Sequence, residues 1–284
     1  MRPRSPGARP APSGAGRSRG AARERLTGVH PVREALRARR RVLHGLLVRA
    51  GAGPLRPEIL DLVDRARRAD VPVERLDPAR FDREAPAGIP HQGVVLEAGP
   101  LPRPDLMALV PEGDEVECWL LALDGIEDPQ NLGALLRVAD ASGVRGVLLP
   151  ERRAAPLSAA VGRASAGAVE HVPVAGVPNL PRALEVLKRH GFWVHGADPA
   201  GEDLYGLPDR LLDRRLVLVL GAEGRGIRPG VRAALDVACR IPMGGAVASL
   251  NVAAAAAVVL FEWRRRVRAG AGLPAMLPEG ASRL

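Results

Sequence analysis

Three polar segments, each following an apolar run, hold the side chains best suited to chemistry. The first, DGIEDPQNLGALLR (residues 124–137), puts Asn131 where a helix N-cap belongs and sets Gly133 and Arg137 four residues apart on one helical face. Taken alone it reads as a capped helix bearing a solvated arginine. The second, LVLGAEGRGI (218–227), is a strand that ends in a glycine-rich turn, where Gly221 and Gly224 would let a ligand approach the backbone closely. It lacks the Lys-Ser/Thr ending of a Walker A loop, and Gly224, Gly226 and Gly230 are misspaced for a dinucleotide fingerprint. Glu223 inside the turn would repel a phosphate and suits a cationic ligand. The third, IPMGGAVASLNV (241–252), carries Ser249 and Asn251 just before a run of alanines. Capping of the helix that follows accounts for one of the two, and the other is left for a ligand or substrate.

The elements that must position these segments alternate between strand and helix. An apolar strand over Val116–Leu123, of the kind buried on both faces, leads to a helix over Leu132–Ala141 and a strand over Gly146–Leu149. A helix over Pro181–His190 follows, then strands at Phe192–His195, Leu216–Leu220 and Ala238–Ile241 and a long helix over Leu250–Val267. Such alternation predicts a parallel sheet covered by helices, with ligands beyond the carboxyl ends of the strands. Before it, helices at Val32–Arg40 and Arg56–Ala69 and strands at Val42–Val48, Val71–Leu76 and Gly93–Ala98 predict a small α/β domain. The divisions expected are a basic disordered tail over 1–24, the small domain over 25–100 and a proline-rich linker over 101–115. The larger domain covers 116–268 and a C-terminal tail 269–284.

Composition bounds the partners. The 284 residues carry a net charge of +9, of which residues 1–25, with seven arginines and one acid, supply +6. Strong basicity therefore belongs to the N-terminal segment and suggests a polyanionic partner. The near-exclusive use of arginine, with Lys188 the single lysine, fits selection for bidentate phosphate contacts or, favoured here, a GC-rich genome, which also accounts for the abundant Ala, Gly and Pro. Cys118 and Cys239, each in an apolar segment, make neither a metal cluster nor a disulfide framework. The N-terminus has no apolar signal core, and the longest apolar run, Val252–Phe261, is too short to span a bilayer. A cytoplasmic protein, with no metal and no membrane association, is the expectation.

Together the three segments resemble, in order and separation, the signature motifs of the SpoU (TrmH) family of RNA ribose methyltransferases. The resemblance covers roughly residues 118–266 and takes in RASAGAVE (163–170). Upstream, GVHPVREAL (28–36) and HQG (91–93) look like the RNA-substrate-binding domain of the family's RlmB-type ribosomal RNA enzymes. One departure is Ala253, where many relatives carry Ser.

The resemblance implies methyl transfer from S-adenosylmethionine to a ribose 2′-hydroxyl, most specifically of a guanosine in 23S ribosomal RNA. It also implies a SPOUT-type catalytic domain with a trefoil knot, and a homodimer. Gly221, Gly224, Ile241, Met243 and Leu250 would hold the cofactor, while Asn131, Arg137, Glu223, Ser249 and Asn251 match the family's polar active-site positions. A role for Arg137 as a base would need an exceptional environment, since a guanidinium stays protonated at working pH. A role as a cation that stabilises the developing alkoxide or clamps a phosphate needs none, and is favoured here. Glu223 would either orient Arg137 or face the sulfonium. A transfer RNA ribose methyltransferase and a non-catalytic RNA-binding assembly factor on the same fold are the alternatives.

Overall fold

The computed structural model describes residues 23–113, 117–212, 215–246 and 249–270, which form two α/β units in sequence. The first runs β1 (Glu24–Thr27), α1 (Val29–Ala38), β2 (Leu43–Arg49), α2 (Pro57–Arg68), β3 (Val73–Leu76), α3 (Pro78–Glu84) and β4 (Val94–Ala98). Its sheet has the order β1-β4-β2-β3, antiparallel except for β2 with β3. The helices α1 and α2 bury Val32, Leu36, Leu62 and Val63 against one face, and Phe81 of α3 fills a smaller cluster with Leu47, Leu76 and Val95. Periodicity alone indicated neither β1 nor α3. Glu24, placed in the tail by composition, opens β1, and Arg25 pairs with Glu84 and Glu97. The expected disorder of residues 1–22 and the tail beyond 270 lie outside the described residues.

The second unit runs β5 (Trp119–Asp124), α4 (Pro129–Ser142), β6 (Gly146–Pro150), α5 (Ala159–Ala164), β7 (Val174–Val177) and α6 (Leu180–Arg189). It continues with β8 (Phe192–Asp203), β9 (Arg215–Gly221), α7 (Pro229–Arg232), β10 (Val237–Arg240) and α8 (Val252–Gly270). Its six strands pair in parallel in the order β10-β8-β9-β5-β6-β7. Every residue of β5 is buried, as expected of a central strand covered on both faces. One face packs Leu121, Leu123, Leu218 and Leu220 against α4 and α8, with Trp263 fully buried. The other packs Leu120, Val217 and Val219 against α6 and α7. Leu109, in the segment read as a linker, is buried in this second cluster and lies against Gly146, so the connection is docked onto the sheet.

α5 and β7 are absent from the sequence-based expectation, and β8 continues eight residues past its predicted end. The extension, GADPAGED, has the composition of a turn, and its pairing with β10 supplies what local propensity does not. Among the described residues no helix is long and apolar enough to cross a membrane.

Candidate active site

Sheet order brings the first two motifs together. β9 follows β5 by some ninety residues of chain yet pairs beside it, with Asp124 opposite Gly221 at the strand ends. Each motif begins where its strand stops, so both loops emerge side by side at the carboxyl edge of the sheet. Past Gly221 the chain makes a tight turn in which Ala222 and Gly226 bridge, and Gly226 N–H donates to the Ala222 carbonyl at 2.8 Å. A Cβ on Gly221 would overlap the Gly226 backbone, and Gly224 and Gly226 have φ of 74° and 65°. Only glycine meets both demands without strain.

An ion pair closes this loop. Asp124, whose side chain is fully buried, accepts from Arg228 N–H at 2.8 Å and from Arg228 Nε at 2.7 Å. The same bond raises the pKa of Arg228. The end of β5 thereby anchors the far side of the turn that carries Glu223.

Three side chains from the three motifs meet at this edge. Asn251 Nδ2 donates to Asn131 Oδ1 at 3.0 Å and to Glu223 Oε1 at 2.9 Å, while Asn131 Nδ2 donates to Glu223 Oε2 at 3.4 Å. Asn251 also caps α8, its Oδ1 accepting from Ala253 N–H at 2.9 Å. One residue thus does what was expected to be divided between Asn251 and Ser249. Asn131 is not the N-cap of α4. Asp128 is, accepting from the backbone N–H of Gln130 and Asn131, because Pro129 is suited to the first helical position and moves the cap back. Asn131 is released to face Glu223. Gly133 also serves packing, since a Cβ there would overlap Ala164 of α5.

Arg137 is placed elsewhere. Six residues beyond Asn131 it lies about 9 Å along α4 and about 120° around it. There it lines a cleft of about 420 Å³ between the two units, with Glu34 and Arg37 of α1 and Asp140, Ser165, Ala166 and His171. Glu223 hydrogen-bonds the two asparagines, and among the described residues no bond joins it to Arg137.

The wall of that cleft is held by buried charge. Arg41, 4% exposed, donates from Nε to Glu170, 2% exposed, at 2.8 Å, and from Nη1 to Glu24 and to the Gly99 carbonyl. Arg40 donates to the Glu170 carbonyl, and Glu34 bonds His171 Nε2 at 2.7 Å. Burial pushes the Glu170 carboxyl up, against the downward pull of Arg41 and Arg40. Gly167, at φ 90°, lets α1 come close, as a Cβ there would lie 2.7 Å from that of Glu34. RASAGAVE is thus the docking surface for the first unit.

Family models divide the chain along the same line. Residues 119–261 match the model described as the SpoU rRNA methylase family, and residues 25–104 match that for RNA 2′-O ribose methyltransferase substrate binding. The chain belongs to the SpoU rRNA methylase family. A Pseudomonas aeruginosa relative named 23S rRNA (guanosine-2′-O-)-methyltransferase RlmB is 40% identical over 86% of this chain and 96% of its own length. A Staphylococcus haemolyticus relative, assigned to the TrmH family of tRNA/rRNA methyltransferases, is 36% identical over 86% and 97%. The crystal structure of an RNA 2′-O ribose methyltransferase superposes with a TM-score of 0.70 at 27% identity, covering 86% of this chain and 89% of that one.

The remaining SpoU motif residues fit a nucleoside-bearing cation. Glu223 is exposed and acidic, at the tip of a turn that only glycines can form. Met243 and Leu250 are each 40% exposed, which leaves apolar surface for an aromatic base, and Ile241 packs against the core behind them. Ser249 is exposed on the same segment. No metal-ligating group of three or more His, Cys, Asp or Glu occurs among the described residues. Both cysteines are buried, and burial pushes the Cys239 thiol up to about 12, away from the thiolate that nucleophilic attack requires.

Arg228 and Arg41 gave no functional signal in the sequence, and Asp124 and Glu170 lie within the segments of the family resemblance without standing out there as site residues. Asp124 and Arg228 each stand at the border of a motif, but their pairing needs the β5–β9 register. Gln92 and Gly28, which carry part of the family resemblance, have a physical role as well: Gln92 Oε1 accepts from Val29 N–H at 2.8 Å at the start of α1.

Proposed function

We propose that the chain transfers a methyl group from S-adenosylmethionine to the 2′-hydroxyl of a guanosine in 23S ribosomal RNA. The observation that carries the reading is the convergence of Asn131, Glu223 and Asn251, from three separate segments, at the carboxyl edge of the sheet. Support for the substrate comes from the P. aeruginosa relative's name and from the substrate-binding match over residues 25–104.

The cofactor supplies a methyl group already activated on a sulfonium. The Glu223 carboxylate offers that cation a counter-charge, and the turn around Gly221 and Gly224 offers it backbone groups. Ile241, Met243 and Leu250 would hold the adenosyl portion through apolar contact. Asn131, Asn251 and Ser249 would orient the ribose so that its 2′-hydroxyl oxygen faces the methyl group in line. Arg137 acts as a cation upon the RNA. A protonated guanidinium, set about 9 Å along α4 from Asn131, suits a phosphate near the reacting ribose better than proton abstraction from it. A homodimer, a trefoil knot at the C-terminal end of the catalytic domain and a cytoplasmic location complete the proposal. So does its division into a substrate-reading unit over 25–100 and a catalytic unit over 116–268.

Incubation of the purified protein with methyl-labelled S-adenosylmethionine and unmodified 23S ribosomal RNA, with transfer RNA in parallel, tests this. Nuclease digestion should yield the label in 2′-O-methylguanosine from ribosomal RNA. Label in transfer RNA alone would place the chain with the tRNA enzymes. Intact cofactor binding with no label in either would leave a non-catalytic RNA-binding protein.

A further inference from the structure

The cleft between the two units presents two arginines, one from each side. Arg137 makes no hydrogen bond or ion pair among the described residues. Arg37, in the last turn of α1 and 69% exposed, lies 3.9 Å from Glu34, whose Oε2 is already bonded to His171 at 2.7 Å, and acts on Asp140 only through its field. The other acid in the cleft is Asp140, whose carboxyl is pushed up by desolvation against the opposing pull of His171. The two acids balance the two arginines formally, but Glu34 is engaged by His171, while Arg137 has no bonded partner among the described residues. The volume, about 420 Å³, lies within the range of cavities that take a small molecule or one residue of a polymer. The walls are pre-set: Arg41 with Glu170, and Glu34 with His171, fix α1 against the segment after α5. A guanidinium presents a planar fork of donors matched to phosphate oxygens.

We infer that Arg37 is a substrate-positioning residue, which with Arg137 clamps a backbone phosphate of the RNA across the interdomain cleft. The inference rests on the proposed RNA methyltransferase reading and adds to it a residue of the substrate-binding unit. Arg137 lies on the catalytic unit near the reaction; Arg37 lies on the unit that must select the RNA. A phosphate held between them sets the register of the strand relative to Asn131 and Asn251 without reading a base. The clamp closes onto a nucleotide only because the two units are docked.

Steady-state methylation of unmodified ribosomal RNA by full-length protein, at several salt concentrations, tests the clamp. Arg37→Ala should raise KM for RNA by about tenfold, the loss of one hydrogen-bonded charge, while kcat falls less than about twofold. The slope of log affinity against log salt should become shallower by about 0.7 to 1, one phosphate contact. S-adenosylmethionine affinity should stay unchanged, and Arg37→Lys should recover part of the KM. Arg67→Ala removes an arginine of equal exposure, 69%, from the last turn of α2 and outside the cleft, and serves as the control. A KM and salt slope for Arg37→Ala that match wild type would overturn the clamp while the methyltransferase reading stood. An equal shift in Arg67→Ala would reduce the effect to general charge and overturn it too. Absence of methylation by the wild-type protein would instead remove the reading on which the inference rests.

Discussion

Removing Arg41 should destabilise the protein in a pH-dependent way. Arg41 and Glu170 are 4% and 2% exposed and joined at 2.8 Å, so truncating either leaves a charge in a site from which water is excluded. Such losses cost about 3–5 kcal/mol when the remaining charge has no other partner. The two halves differ in this respect. In Glu170→Ala, Arg41 keeps Glu24 at 2.5 Å, so the cost should fall near the lower end, about 3 kcal/mol. In Arg41→Ala, Glu170 retains only the field of Arg40, and its carboxyl, already raised by burial, rises further. For an acid with a raised native pKa, the folded state holds the proton more tightly than the unfolded one. Stability is therefore greatest below the unfolded value of about 4.5 and falls as pH rises through the native pKa. Arg41→Ala should accordingly cost more at pH 8 than at pH 5, and Glu170→Gln, which resembles the protonated acid, should cost less than Glu170→Ala. In thermal melts the lower-end cost corresponds to about 6–12 °C for domains of this size. The double variant Arg41→Leu/Glu170→Leu should recover most of the loss, because the desolvation penalty disappears along with the pair. Single variants within about 1 kcal/mol of wild type at both pH values, with no coupling in the double variant, would refute a buried interdomain lock.

Asn251→Ala removes the α8 cap and both links to Asn131 and Glu223. Stability should drop by about 1 kcal/mol and turnover by about a hundredfold; a melt shift without loss of turnover would reduce Asn251 to a cap. Arg228→Ala frees the far side of the Glu223 turn and leaves Asp124 buried with one backbone donor. Calorimetry should show S-adenosylmethionine binding weakened by about tenfold or more, and unchanged binding would mean the turn holds itself. Arg137→Ala should abolish methyl transfer with cofactor affinity within a few-fold, since Arg137 lies apart from the Glu223 cluster. Loss of cofactor binding in a folded variant would contradict that placement.

What could be read from sequence was what is local in physical origin. Glycines and polar residues directly after apolar strands announced the three loops, because close backbone approach and exposed side chains are demands each loop meets alone. Asp128 as the α4 cap is equally local, signalled by Pro129, although Asn131 three residues on is a cap former of the same strength. Neighbours created by strand order were different. Nothing within 20 residues of Asp124 indicates that Gly221 lies opposite, and the Arg41–Glu170 pair spans 129 residues. The same distinction governs charge. Counted along the chain, Arg25 added to the charge of a basic N-terminal segment; in the fold it is tied to Glu84 and Glu97. What matters to a polyanion is therefore which arginines the fold leaves unengaged and where it points them. By that measure Arg37, inconspicuous among 41 basic residues, is singled out because it faces one cleft with Arg137 from two units that are docked by buried charge.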